Sequence, residues 1–302
     1  MKFVVMLAVL LFRRVPGIRL IQYLDRRYTR LLVLIERITG YRAGRVLPYL
    51  LGVLPPVLLL CALLARVPDT PWNLAALVVH LLVVFYVLGR RDEMTWIERY
   101  MIAWRQGDYE AARHYALELL DDDETGLTPV SMHCRLVARL LAHAFDRLFL
   151  VLFWYLLLGP VAALLARLSA LAIEWAQAQG QTVNPWIMRF QGLLEWPAAR
   201  LLGLTLALVG RPVLGIRQWL MDLLRWRLPT EVYLNRQLIT RFGAVSGGDA
   251  STDEATVYCQ RPEHFSAEAD HELGCVREMV WRALAVWVAL SALSVIFFPA
   301  LN

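Results

Sequence analysis

The sequence predicts an all-α, polytopic membrane protein, because of its composition and the length of its apolar blocks. Hydrophobic residues make up 58% of the 302 residues and charged residues 19%, whereas soluble domains are about half apolar and a quarter charged. The blocks are long enough to cross a hydrocarbon core of about 30 Å, which takes roughly 20 helical residues. We therefore expect a single membrane domain over 1–302 with five spanning helices, at about 46–65, 72–88, 148–170, 193–210 and 281–298.

Three further segments are predicted to be helices that do not span. Residues 3–12 are apolar but too few to cross comfortably, so they predict an N-terminal half-helix. Residues 18–38 place apolar side chains at helical spacing among five arginines, which predicts a basic amphipathic helix on the membrane surface. A partner-binding helix is the alternative interpretation of this segment. Residues 214–227 predict a second interfacial helix.

The distribution of arginine predicts the orientation of the chain. The segments 13–45, 90–147 and 211–280 are rich in arginine, whereas the links 66–71 and 173–191 contain one arginine each. Since basic segments stay cytoplasmic, we expect the three arginine-rich loops in the cytosol and the C-terminus outside. The formal net charge is +5, and the arginines that supply it flank the apolar blocks. The predicted partner is therefore the lipid bilayer and not nucleic acid.

Three residues predict bends within the spans. Gly159 and Pro160 interrupt the third predicted span, and Pro197 lies early in the fourth. Proline removes a helical hydrogen bond and glycine releases the backbone, so neighbouring helices must compensate at these positions.

A group of polar residues marks the start of the third predicted span. Arg139, His143, Asp146 and Arg147 follow one another at three to four residues, which places them on roughly one helix face at the predicted cytosolic mouth. Trp154 follows about two turns later. Two interpretations are open here: an ion pair between Asp146 and an arginine on the helix surface, or a polar pocket for an anionic ligand.

Two arginines lie deeper in the predicted spans. Arg200 falls roughly 10 Å into its span, where a central arginine costs about 2.5–3.5 kcal/mol to insert, so it needs a partner or a polar cavity. Glu195 and Glu174 are the candidate partners. Arg167 falls near the far interface, and we expect its side chain to reach that interface by snorkelling.

No metal site is predicted. The acidic run at 121–124 is typical of a solvated turn, with a divalent cation as the alternative. Zinc ligation by Cys259, His264, His271 and Cys275 would need a spacing that fits no common structural-zinc pattern. The sequence also contains none of the glycine-rich phosphate loops, nucleophile elbows or metalloprotease motifs of soluble enzymes.

The runs FWYLLLGPVAALLARL at 153–168 and LEWPAARLLGLTLALVG at 194–210, with RQGDYEAARHYALELL at 105–120, resemble the AmpE family. AmpE proteins are inner-membrane modulators associated with β-lactamase induction in Gram-negative bacteria, where they accompany the AmpD amidase of cell-wall recycling. The resemblance extends over nearly the whole chain.

AmpE is in turn similar to the CbiB/CobD membrane proteins, which attach an aminopropanol arm to cobyric acid by amide formation. Their acidic V-E-S-x-A-E-N-x-x-D-like motif corresponds here to 138–146, ARLLAHAFD, in which only Asp146 matches. Their N-T-L-D element is also missing, since 169–174 reads SALAIE. Amide formation needs acidic groups to hold a metal or activate a nucleophile, so the departures favour a scaffold without that chemistry.

The resemblance therefore implies a non-catalytic regulatory or sensory protein of the bacterial inner membrane, linked to cell-wall recycling and β-lactamase induction, without a cofactor. An AmpD-like amidase or an anionic ligand derived from the cell wall is the implied partner, and a homo-oligomer is left open. The alternative is a CbiB/CobD-like membrane enzyme that forms an amide bond in cobalamin biosynthesis. The candidate ligand-binding residues are Arg139, His143, Asp146, Arg147, Trp154, Glu195 and Arg200.

Overall fold

The computed structural model describes residues 2–12, 18–40, 42, 44–66, 74–88, 92–120, 129–209, 212–225, 228–242 and 265–297. Within these ranges the chain is helical and forms no strand. The helices are α1 (Lys2–Phe12), α2 (Ile18–Thr39), α3 (Val46–Ala65), α4 (Leu74–Leu88), α5 (Asp92–Arg105), α6 (Tyr109–Leu120), α7 (Pro129–Ala144), a π-helical segment (Phe145–Phe149), α8 (Leu150–Leu158), α9 (Pro160–Ala178), α10 (Pro185–Val209), α11 (Pro212–Leu223), α12 (Thr230–Phe242) and α13 (Phe265–Phe297).

The predicted fold class is confirmed: the protein is an all-α polytopic membrane protein. Among the described residues, four helices are long and apolar enough to cross a membrane: Val46–Ala65, Arg135–Leu158, Pro160–Ala178 and Pro185–Val209. The apolar helix Leu74–Leu88 is shorter, and the predicted span 281–298 falls within α13 apart from its last residue.

The structure has two helices where the sequence predicts one span at 148–170. Gly159 adopts φ 89° and ψ −167°, and its N–H donates to the Tyr155 carbonyl at 2.9 Å. Glycine tolerates this left-handed φ, whereas Pro160 lacks an N–H and suits the first position of the next helix. The bend predicted at Gly159 and Pro160 is therefore a complete break. Pro197, in contrast, lies inside α10 without ending it.

The described chain divides into two compact units, of which unit 1 comprises Met1–Arg90, Asp146–Ala198 and Val288–Asn302. Its core joins α2, α3, α9 and the start of α10, through the buried residues Tyr28, Leu32, Val53, Leu168 and Ile187. A Cβ atom at Gly52 would lie 2.6 Å from Leu32 Cδ2, so the glycine lets α2 approach α3 closely.

Helix α2 buries a narrow face of its amphipathic sequence. Tyr28 and Leu32 pack into unit 1, while Leu24, Leu31 and Ile38 of the predicted apolar face are exposed. The helix itself is confirmed, and exposed apolar side chains among arginines suit a membrane surface. Its position on that surface stays a prediction.

Unit 2 comprises Arg91–Phe145 and Ala199–Trp287. Helices α5 and α6 form a hairpin that turns at Gly107, where φ is 74°, and Asp108 Oδ1 accepts a hydrogen bond from the Ala111 N–H at 3.0 Å as a helix cap. Helix α12 contacts α7 and α11. Helix α11 approaches α10 closely, since a Cβ at Gly215 would lie 2.9 Å from Ala207 Cα.

Several sequence predictions concern residues outside the described ranges. These are the acidic run at 121–124, the cysteine and histidine at 259 and 264 that were considered as zinc ligands, and the last residue of the predicted fifth span.

Candidate functional site

The predicted ligand-binding residues fall in both units. Arg139, His143 and Arg200 belong to unit 2, and Asp146, Arg147, Trp154 and Glu195 belong to unit 1. Each group is described within its own unit.

Asp146 and Arg147 lie in the π-helical segment Phe145–Phe149. Phe145 and Phe149 are fully buried, whereas Asp146 and Arg147 are half-buried. A π-helical turn inserted into an α-helix is rare and is frequent at functional sites. This local geometry singles out the one acidic residue that matches the CbiB/CobD motif.

A chain of hydrogen bonds links three apolar helices in unit 1. Tyr49 Oη and Ser169 Oγ are 2.6 Å apart, Ser169 donates to Gln191 Oε1 at 2.6 Å, and Gln191 Nε2 donates to Glu195 Oε1 at 2.8 Å. Because the single hydroxyl proton of Ser169 goes to Gln191, Tyr49 is the donor to Ser169. We call these four residues the Tyr49–Glu195 chain.

The Tyr49–Glu195 chain is buried along most of its length. Tyr49, Ser169 and Gln191 are buried, and Glu195 is half-buried. Buried polar groups inside apolar helices are expensive and usually paired, as they are here. Sequence reasoning identified only Glu195, because Gln191 lies in the stretch predicted to be a polar link and a lone serine in a span gives no signal.

Trp154 lies next to this chain along α10. Its Nε1 donates to the Leu194 carbonyl at 3.0 Å, one residue before Glu195. The indole therefore ties α8 to α10, and its contact is with backbone.

Arg167 is the residue whose predicted environment is wrong. It is 4% exposed and pairs with Asp25 of α2 at 4.0 Å, while Tyr86 donates to Asp25 Oδ1 at 3.2 Å. The side chain is therefore held within unit 1 and does not snorkel. Sequence reasoning missed the pair because Asp25 stands beside Arg26 and Arg27, and only the fold shows that it turns inward one helical turn before Tyr28.

On unit 2, Arg139 forms an ion pair with Glu231 of α12 at 3.0 Å. Their side chains are 37% and 66% exposed, and such surface pairs contribute little to stability. His143 is half-buried on α7, the helix that carries Arg139. The ion pair predicted between Asp146 and an arginine stays a prediction.

Arg200 is buried in unit 2, with 4% of its surface exposed. Its guanidinium carbon lies 3.9 Å from the ring centroid of Tyr233, a cation–π distance, and Nη2 donates to the Arg225 carbonyl at 2.9 Å. Its own carbonyl accepts from Trp219 Nε1 at 2.8 Å. The Asp222 carboxylate in the same unit favours its positive charge, and sequence reasoning did not propose this residue.

Asp222 is completely buried and lies at the centre of a polar group. Its Oδ1 is 3.3 Å from Arg225 Nη1 and 3.6 Å from Arg236 Nη1, and its Oδ2 accepts from Gln218 Nε2 at 2.8 Å. We call Gln218, Asp222, Arg225 and Arg236 the Asp222 cluster. Its donors satisfy the buried carboxylate, as burial of a charge requires.

Tyr233 contacts Arg200 and is influenced electrostatically by Asp222. Burial raises the pKa of its hydroxyl above the ordinary value, the Arg200 guanidinium opposes that rise, and the Asp222 carboxylate adds to it. The phenol is therefore neutral at physiological pH, and the Arg200 guanidinium lies over the ring of a neutral tyrosine. A signal for Asp222 was available, since Gly215, Trp219 and Asp222 recur at helical spacing opposite the apolar residues of α11.

No three His, Cys, Asp or Glu side chains converge on a candidate metal position in the described part of the chain. The groups described above, which can form hydrogen bonds or bring charge, are carboxylates, guanidinium groups, the amides of Gln191 and Gln218, the hydroxyl of Ser169, the imidazole of His143 and phenols.

The chain is similar to two CobD proteins of cobalamin biosynthesis. The cobalamin biosynthesis protein CobD of Chromobacterium violaceum is 27% identical over 258 residues, which cover 83% of this chain and 80% of the relative. The protein of the same name from Stutzerimonas stutzeri is 26% identical over 254 residues, covering 82% and 81%. No protein-family model matches the chain, and no solved structure matches it significantly.

These similarities support the CbiB/CobD side of the resemblance seen in the sequence. They run along most of both chains, and with the apolar helices they describe a CobD-like multi-pass membrane protein. They give no support to the AmpE interpretation.

Proposed function

We propose that this protein acts in cobalamin biosynthesis, as a CobD-like protein of the bacterial inner membrane. The observation that carries the proposal is the similarity to two CobD proteins over more than four fifths of the chain. A likeness that covers most of both partners suggests a common architecture, whereas the activity has to be argued from the site.

Asp146 and Glu195 are the residues that we assign to this function. Asp146 is the acidic residue that matches the CbiB/CobD motif, and the π-helical turn presents it half-buried. Glu195 accepts a hydrogen bond from Gln191, Gln191 accepts one from Ser169, and Ser169 accepts one from Tyr49. A carboxylate oriented by a chain of buried groups suits binding and proton transfer to an amine or amide of a corrinoid precursor.

A deletion strain of the organism that encodes the chain tests the function. We expect its corrinoid content to fall when it grows without added cobalamin, and a plasmid copy of the gene to restore that content. Asp146→Asn should restore less than the wild type, while Glu174→Gln, which removes an exposed carboxylate, should restore it fully. A normal corrinoid content in the deletion strain would reject the proposal.

A second candidate is an AmpE-like regulator, which would have the CobD-like fold but would not form the amide bond. It is favoured by one observation: the stretch ARLLAHAFD at 138–146 has lost the motif's two glutamates and its asparagine. Its partner would be an AmpD-like amidase or an anionic cell-wall fragment. β-Lactamase activity after exposure to a β-lactam, measured in the same deletion strain, separates the two functions, since loss of induction with normal corrinoid content would establish the regulator.

A further inference from the structure

Helix α11 has a buried polar face and an exposed apolar face. Gly215, Trp219 and Asp222 recur at intervals of four and three residues and turn toward the interior of unit 2. The opposite face exposes apolar side chains to between 48% and 83%: Val213, Leu214, Leu220, Met221 and Leu224. Arg217 is exposed within the same arc, so this face is apolar apart from one basic side chain. In a membrane protein, such a face is suited to lie along lipid acyl chains close to the headgroups.

Two guanidinium groups converge where this helix ends. Arg225 follows directly after Leu224, and Arg236 approaches from α12. Their Nη1 atoms lie 3.3 Å and 3.6 Å from the same oxygen of Asp222, so they are within about 7 Å of each other. This separation is small enough for both groups to reach one phosphate.

Positive charges outnumber negative charges within the Asp222 cluster. Asp222, Arg225 and Arg236 together bring two positive charges to one negative charge, and Arg200 adds another positive charge nearby. The acidic residue in the first turn of α12, Glu231, is engaged with Arg139. An anion placed against the pair would therefore find an attractive potential.

The pair can be reached from outside. The side chain of Arg225 is 59% exposed and that of Arg236 is 21% exposed, while Asp222 beneath them is fully buried. The buried carboxylate thus orients both guanidinium groups without competing for the outer position. Arginine in such a fork is the usual protein ligand of a phosphate group.

We propose that Arg225 and Arg236 bind the phosphate of an anionic phospholipid, with its acyl chains lying along the exposed apolar face of α11. The apolar face and the basic pair are adjacent along the chain, as the two parts of a phospholipid are. A free phosphate shares the headgroup chemistry but has no use for the apolar face. This site is independent of the proposed role in cobalamin biosynthesis.

Thermal unfolding of the purified full-length protein in a neutral detergent tests the proposal, with phosphatidylglycerol, phosphatidylcholine or inorganic phosphate added. We expect phosphatidylglycerol to stabilise the wild type at about tenfold lower concentration than phosphatidylcholine. Arg225→Gln should remove that preference, and Arg236→Gln should act in the same direction. Arg282→Gln is the matched control, because its side chain is 55% exposed and pairs with Glu278 one turn earlier in α13, so it should retain the preference.

Three results would overturn the proposal. Equal stabilisation by the two lipids would show that the protein does not recognise the charge of the headgroup. An unchanged preference in Arg225→Gln would place the lipid elsewhere. Stabilisation by inorganic phosphate at the concentration at which phosphatidylglycerol acts would assign the pair to a soluble anion. Corrinoid content decides the proposed function separately, since Arg225 has no part in that proposal.

Discussion

The hydroxyl group of Tyr233 lies against the backbone of α10 at Gly203. A Cβ atom at Gly203 would overlap the phenol oxygen and lie 2.7 Å from Cζ and 3.0 Å from Cε1 of the ring. Since Arg200 lies one turn earlier on α10 and over the same ring, the absence of a side chain at Gly203 is what lets the ring lie under the guanidinium. The position of the buried arginine thus depends on a glycine three residues away.

Gly203→Ala should lower the free energy of unfolding by about 1–3 kcal/mol, as overpacking of a buried contact does. Gly192→Ala in the same helix is the control, because a Cβ there meets nothing within 4 Å, so it should be neutral or slightly stabilising. Denaturant titration of both variants in detergent measures the difference. Adding Tyr233→Phe to Gly203→Ala removes the overlapping hydroxyl and should recover part of the loss; equal stability of the two alanine variants would contradict the contact.

Breaking the pair of Asp25 and Arg167 should be costly. Arg167→Met removes one partner of this buried ion pair in unit 1, and removing one partner of a buried pair costs about 3–5 kcal/mol. Arg26→Gln changes an exposed arginine beside Asp25 and should cost little. The double variant Asp25→Leu with Arg167→Met should be more stable than Arg167→Met alone. Unfolding titrations that find the two arginine variants equal would show that Arg167 is not buried with Asp25.

Ser169→Ala should interrupt the Tyr49–Glu195 chain. It leaves Tyr49 without its acceptor and Gln191 without a donor, and an unsatisfied buried polar group costs about 1–3 kcal/mol. Thr205→Val is the matched control, because that buried hydroxyl donates to the Leu202 carbonyl of its own helix at 2.7 Å and orders no second helix. We expect a larger loss of unfolding free energy for Ser169→Ala; an equal or smaller loss would show that the chain does not tie the helices together.

The helix break at Gly159 gives a prediction based on backbone conformation alone. A Cβ at Gly159 would meet nothing within 4 Å, but φ is 89° there, so alanine should cost about 1–2 kcal/mol through strain and not through a clash. Gly192 is again the comparison, since it lies within a regular helix. A thermal unfolding temperature for Gly159→Ala as high as that for Gly192→Ala would contradict the observed break.

The fold class could be predicted from the sequence because it depends on composition and block length, which need no knowledge of contacts. Helix boundaries at prolines and glycines could also be predicted from the sequence, although the break at Gly159 divides a segment that hydropathy alone predicts to be continuous. The candidate site could be predicted less completely. Tyr233 and Ser169 gain their roles from partners on other helices, at separations that no local pattern encodes. The contacts of Asp222 with Arg236 and of Gln191 with Ser169 are equally non-local.

Burial of charge shows the same limit. The cost of burying Arg200 correctly predicts that it needs partners, but which groups supply them depends on how α10, α11 and α12 pack. For Arg167, position along a span suggested the interface, and the fold gave it Asp25 instead. Distance from a helix end predicts depth, whereas the direction that a side chain faces is decided by packing.

The most direct test of the proposed function is complementation of a Stutzerimonas stutzeri strain that lacks its CobD protein. Expressed in that strain, the chain should restore corrinoid content during growth without added cobalamin, and Asp146→Asn, present in the membrane at equal amount, should restore less. No restoration by the wild-type chain, present in the membrane at that amount, would contradict a CobD-like role in cobalamin biosynthesis.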